Sequence, residues 1–208
     1  MEQRSPENEL AFIRNMMMQT RRRAVYSGLS YIAWGIYIAA AATGAFLVRH
    51  FEIPIKPLYI WLPVIAFGWV FTILHIRKTR SQARIETLAG RILAGVWTGL
   101  GIILSITGFI GGSTLLSNPN ALTGVMCLCI GLGFYITGIL YETAWLRWYS
   151  SLGWWAGALL LFCFPSSYFM LILAALMLLF HTVPGIVLYR QWKAEYPPEA
   201  APSHAQNA

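Results

Sequence analysis

The chain reads as an all-α integral membrane protein with six transmembrane helices, both termini in the cytoplasm and an amphipathic interfacial helix at the amino terminus. Three observations carry that reading. Of 208 residues, 57% are hydrophobic and only 11% charged, whereas a soluble domain carries about 25% charged residues. Six apolar stretches recur, most of them close to the roughly 20 residues that cross a bilayer as a helix. The basic residues, finally, are distributed unevenly between alternate connecting segments. The formal net charge of +7 is therefore a matter of membrane orientation and not a nucleic-acid signal.

Residues 1–23 form the first unit. Ser5, Pro6 and Glu7 supply a hydroxyl cap, a proline at the first helical position and an acid in the first turn. Leu10, Ile13 and Met17 follow on one face, and Arg14 with Arg21, Arg22 and Arg23 makes the segment basic. Such a helix lies in the membrane interface or docks a cytoplasmic partner. Residues 24–190 hold the six spans. The first covers 24–48 and reads as a retained span, with no cleavable signal peptide evident. The second covers 57–76, with Tyr59 and Trp61 suited to one interface and His75 at the far end. A basic connector follows, carrying Arg77, Lys78, Arg80, Arg84 and Arg91 against the single acid Glu86.

The third span, 92–112, contains Gly95 and Gly99, a spacing that lets helices approach closely. A turn at Ser117-Asn118-Pro119-Asn120 leads to the fourth span, 121–141, with Gly124, Gly131 and Gly138 seven apart. The fifth, 149–164, is short and carries Gly153 and Gly157. The sixth runs from 168 to 189. Residues 191–208, rich in proline and alanine, are expected to be a disordered cytoplasmic tail. Arg4, Arg14, Arg21, Arg22, Arg23, Arg77, Lys78, Arg80, Arg84, Arg91, Arg147, Arg190 and Lys193 fall on one side of this arrangement, and only Arg49 and Lys56 on the other. The positive-inside rule then places both termini in the cytoplasm of a cell inner membrane.

The sixth span carries the best candidate for a site. His181 lies about 20 Å in from the outer end at 1.5 Å per residue, and Pro184 follows three residues later. Ionisable groups at membrane depth face protein or water, not lipid. A proline there frees a carbonyl one turn back, near Phe180, and kinks the helix. Three readings of His181 stand: a structural hydrogen-bonding residue, part of a cytoplasm-facing pocket, or a haem or metal ligand. His75, Glu142 and Arg147 gather at the same side and complete the candidate pocket. A bis-histidine haem needs a second histidine at similar depth, and His75 is several residues nearer the interface. Quinone is the other redox ligand in view.

Catalytic templates do not appear. There is no phosphate-binding glycine loop, no His-Glu-x-x-His helix and no Gly-x-Ser-x-Gly elbow, and the chain has no aspartate. Cys127 and Cys129 point roughly 200° apart on one helix, and with Cys163 they read as small buried apolar residues. No metal site is expected. Trp145, Trp148, Trp154 and Trp155 read as interfacial belt and packing. The expectation is a non-catalytic sensor, scaffold or accessory subunit for a cytoplasmic regulatory protein or a membrane complex, itself a homo-oligomer in some readings, embedded in lipid and without direct nucleic-acid contact. The alternatives are a small transporter or channel with its site near His181 and Pro184, and a haem- or quinone-binding redox subunit.

Glu7-Asn8, Ile13-Arg14-Asn15-Met16-Met17, Ser27-Gly28-Leu29-Ser30 and Gly35-Ile36-Tyr37 near one end, and His181, Gly185-Ile186 and Tyr189 near the other, resemble an uncharacterised family of small multi-span bacterial membrane proteins. The basic run from Arg77 and the glycines of spans four and five extend the likeness over most of the chain. The resemblance implies several spans and no assigned activity. Members of that family are often encoded beside a winged-helix transcription regulator, which implies a sensing or regulatory pairing. Pro184 departs from the pattern, where an aromatic residue is expected, so the shape of span six is not carried by the resemblance.

Overall fold

The computed structural model describes residues 6–82, 88–111 and 118–195. Among them every regular element is helical, in six rods. The first, α1, runs unbroken over Pro6–His50. The proline at its first position matches the start expected from sequence, and the interfacial segment and first span form one helix about 68 Å long at 1.5 Å per residue. Next come α2 (Leu58–Gln82) and α3 (Leu88–Ile106, continued by a π-helical turn Thr107–Gly111). α4 covers Pro119–Leu140. α5 opens with a π turn, Leu146–Ser150, and continues as Ser151–Cys163. α6 comprises Phe169–Met177, a π turn Leu178–Thr182 and Val183–Glu195, past the expected end at Tyr189.

Among the described residues, five stretches are long and apolar enough to cross a membrane: Gly28–His50, Leu58–Arg77, Gly90–Gly111, Pro119–Leu140 and Phe169–Gln191. α5 is the short one. Its five-residue π turn and thirteen-residue helix together reach about 27 Å if the α rise is applied throughout, just under the ~30 Å of a hydrocarbon core.

Each rod runs antiparallel to the next, and the sixth returns to the first. Trp34 of α1 meets Trp69 of α2, Gly101 of α3 receives the Trp69 ring, and Gly133 of α4 receives Trp97 and Leu100 of α3. The three glycines seven apart on α4 face α5, with Gly124 on Phe162, Gly131 on Trp155 and Gly138 on the Arg147 backbone. Gly153 and Gly157 of α5 face Phe180 and Leu176 of α6. α6 closes on α1: Gly28 lies against Gly185 and Tyr189, Gly35 against Thr182, and Phe46 against Tyr168. The α1 end near Gly28 and the α6 end near Tyr189 therefore share one end of the bundle. By the same alternation, the exposed Arg77, Arg91, Arg190 and Lys193 share it too.

Tryptophan indoles stitch the rods together. Trp34 Nε1 donates to Thr72 Oγ1 (2.9 Å), Trp69 Nε1 to Ser105 Oγ (3.4 Å) and Trp97 Nε1 to Thr137 Oγ1 (3.1 Å). Each accepting hydroxyl donates in turn to a carbonyl of its own helix one turn back: Gly68, Gly101 and Gly133. Three consecutive interfaces thus use one device, an indole reaching a Ser or Thr whose own donor is already spent on the backbone. Between α4 and α6, Asn120 Oδ1 accepts the Ser166 N–H at 3.0 Å and pins the last connection to the α4 start. That start is capped by Asn118, with Pro119 at the first helical position, so Pro119 and Asn120, expected in a turn, already belong to the helix.

Four expectations need correction. Gly95 and Gly99 receive no neighbour, because α3 turns that face outward. Trp154 is fully buried and does not belong to an interfacial belt, whereas Trp148 is exposed. Only Cys127 is buried; Cys129 is half-buried and Cys163 exposed. Residues 191–195 of the expected disordered tail continue α6 as helix, and residues 196–208 lie outside the described residues. So do the side chains of Arg14, Arg21, Arg22, Arg23, Lys78 and Arg80, and Arg84 altogether.

Candidate functional site

Pro184 sets the geometry of the site. It has no N–H, so the carbonyl four residues back, Phe180, loses its α-helical donor, and in a π pattern the loss falls on Leu179. The helix answers with the π turn Leu178–Thr182 immediately before the proline, closed by Thr182 Oγ1 donating to Met177 O (3.1 Å). Both carbonyls receive a donor from α5. Trp154 Nε1 donates to Phe180 O at 3.2 Å, and Tyr149 OH to Leu179 O at 3.4 Å. Here the fourth indole stitch differs from the other three, since it bonds a backbone group that proline left without its regular partner.

His181 occupies that π turn and points into the bundle. It is 5% exposed, and its Nδ1 is buried without a hydrogen-bond partner. Four aromatic rings from four other helices surround it: Tyr31 of α1 (5.6 Å between centroids), Trp97 of α3 (5.8 Å), Phe134 of α4 (5.0 Å) and Trp154 of α5 (6.2 Å). All four stand within a few degrees of perpendicular to the imidazole, the edge-to-face arrangement that ring quadrupoles favour. Tyr31, Trp97 and Phe134 also touch one another at 5.1–5.3 Å.

A second set of polar atoms lies on the adjoining α5 turn. Ser150 and Ser151 are fully buried, and neither Oγ has a hydrogen-bond partner. Arg147 Nε is buried and unpartnered as well, while its Cζ rests 5.3 Å from the Trp148 ring centroid. Arg147 and Ser150 belong to the π turn that opens α5, and His181 to the π turn inside α6. These turns pack against each other. Single-turn π insertions in α-helices frequently mark functional sites.

The five residues read from sequence as a pocket do not all come together. His181 and Pro184 do, both buried on α6, whereas Arg147 lies on the π turn of α5 with its backbone against Gly138 of α4. His75 stacks on Phe71 of its own helix, α2, at 5.6 Å and shares no ring neighbour with His181. Glu142 is exposed in the turn after α4 with φ 52°. Its N–H bonds Ile139 O (3.0 Å) and the next N–H bonds Gly138 O (2.9 Å), a helix-ending motif in which glycine is the usual left-handed residue. Among the described residues, no three His, Cys, Asp or Glu side chains converge on a metal position.

Sequence reasoning missed Tyr31, Trp97, Phe134, Ser150 and Ser151. The four walls around His181 come from helices far apart in the chain, and no local spacing links them. The serines carried one readable signal: adjacent hydroxyls three and four residues after Arg147 and before Trp154, on one helical face. The chain matches no family model, no curated protein and no solved structure.

Proposed function

We propose that the chain is a six-span protein of a bacterial inner membrane, with both termini in the cytoplasm and no catalytic activity of its own, acting as a sensor, scaffold or accessory subunit for a cytoplasmic or membrane partner. The observation that carries this reading is the break in α6 at Leu178–Pro184, where side chains of α5 bond the carbonyls next to the break. Switching transitions are built on interrupted helices whose neighbouring donors engage or release. The half of α6 beyond the break carries Gly185, in backbone contact with Gly28, and ends at the exposed Lys193. A change at His181 is thereby transmitted to the basic end of the bundle, where a partner docks.

Affinity purification of the full chain from its own membrane tests this. A stoichiometric protein partner is expected, and a variant with Arg77→Gln, Lys78→Gln and Arg80→Gln is expected to lose it. Recovery of the chain with lipid alone contradicts the reading. The unpartnered atoms on facing turns of α5 and α6 favour a second reading, a small transporter with its path beside His181. Under that reading His181→Ala abolishes flux in vesicles and leaves folding intact.

A further inference from the structure

Arg147, Ser150, Ser151 and Trp154 follow one another over about two turns of α5, the first two in its opening π turn and the others in the α-helix beyond it, as one polar stripe. Three of the four carry a buried atom with no hydrogen-bond partner: Arg147 Nε, Ser150 Oγ and Ser151 Oγ. The fourth, Trp154, leads to His181, whose Nδ1 is the next such atom. Buried polar groups in folded proteins are nearly always paired, and each exception calls for an explanation. Four on the packed segments of α5 and α6 share a chemistry. Every one of them is able to donate a hydrogen bond, and the arginine nitrogen can only donate. The occupant that suits them all therefore presents acceptors. The guanidinium adds a positive charge, and a carboxylate is the small acceptor that matches it in charge and geometry. One turn deeper, Trp154 and the rings of Tyr31, Trp97 and Phe134 offer an apolar, aromatic surround.

We propose that this stripe is a binding site for a small organic acid, with the carboxylate held by Arg147, Ser150 and Ser151 and the apolar body directed toward Trp154 and the rings around His181. The site deepens the proposed sensor function by naming the class of ligand sensed, and it rests on that function for its purpose but not for its chemistry. A ligand here touches α5 on the face that supplies the Trp154 indole to the Phe180 carbonyl. Binding is thus coupled to the break in α6.

The test uses the full chain in detergent, with benzoate as the probe and benzamide and acetate as controls, read by the thermal unfolding midpoint. Benzoate is expected to raise the midpoint saturably. Benzamide, which has the ring without the charge, is expected to need about tenfold higher concentration, the factor for one charge-assisted hydrogen bond, and acetate, which has the charge without the ring, is expected to need at least about tenfold more because it buries no ring. Arg147→Gln, which keeps the Cβ packed on Gly138, is expected to erase the preference for benzoate over benzamide. Ser150→Ala with Ser151→Ala is expected to raise the half-saturating concentration, and it decides the matter if Arg147→Gln does not fold. Leu159→Ala, on an exposed face, leaves the benzoate response unchanged. Equal action of benzoate and benzamide, a benzoate shift that survives Arg147→Gln, or no shift at all overturns the proposal. Binding without a co-purified partner removes the sensor reading and keeps the site, and a co-purified partner without binding does the reverse.

Discussion

Trp154 and Pro184 are expected to be energetically coupled although one is a side-chain donor on α5 and the other a backbone lesion on α6. Trp154→Phe removes the indole N–H that reaches the Phe180 carbonyl at 3.2 Å, and it also thins a fully buried ring. The packing loss is about 1 kcal/mol or more. The hydrogen-bond loss is about 0.6 kcal/mol for an average interhelical bond in a membrane protein and about 1.7 at the upper end. The upper end applies here, because the accepting carbonyl is the one whose α-helical donor proline removes. Pro184→Ala restores an N–H four residues beyond Phe180, so in that background the indole becomes dispensable while the packing loss stays. A double-mutant cycle separates the two terms. The expected coupling is about 1 kcal/mol, with Trp154→Phe costing less in the Pro184→Ala chain. The assay is reversible unfolding in mixed micelles followed by circular dichroism. Strict additivity of the two substitutions refutes the claim that α5 compensates for the proline.

Further outcomes follow from single contacts. Gly185→Ala places a Cβ 2.8 Å from the Gly28 carbonyl oxygen, a backbone atom that cannot swing aside, and is expected to destabilise by about 1–3 kcal/mol in the same assay; a neutral result shows that α1 and α6 are less closely apposed. Glu142→Gly relieves a left-handed residue with φ 52° on an exposed turn and is expected to stabilise by about 0.5–1 kcal/mol, whereas a loss points to a contact made by the carboxylate. Asn120→Ala removes the acceptor for the Ser166 N–H and is expected to cost about 1 kcal/mol. In a chain with Cys127, Cys129 and Cys163 replaced by Ala, a single cysteine at Lys56 and one at Lys193 are expected to react with an impermeant maleimide from opposite faces of the membrane. Reaction from the same face removes the six-span reading.

How far the sequence reaches differs between fold and site. The rods were legible because a helix in lipid must be long and apolar, and both properties are local. The α4–α5 and α5–α6 contacts were half legible: Gly124, Gly131, Gly138, Gly153 and Gly157 marked close approach, and the structure puts rings and backbone against them. The same signal misled at Gly95 and Gly99, since spacing shows that a face is smooth and not what covers it. The consequence of Pro184 for the Phe180 carbonyl was readable from the missing N–H alone. Its remedy was not, because Trp154 is 26 residues from Phe180 and only the folded bundle brings them together. Tryptophan was only half legible, since the expected belt and packing roles were not divided between residues, and Trp154 takes the packing one. An indole suits an interface and an interhelical bond equally well, and which it serves depends on whether the next helix offers an acceptor such as Thr72, Ser105 or Thr137.

The central claim is that the interrupted α6 serves a partner and not the chain alone. The most direct measurement is a native mass spectrum of the protein extracted gently from its own membrane. An added protein mass at fixed stoichiometry is expected. A mass equal to the chain, or a small multiple of it, with lipids only contradicts it and leaves the transporter reading in its place.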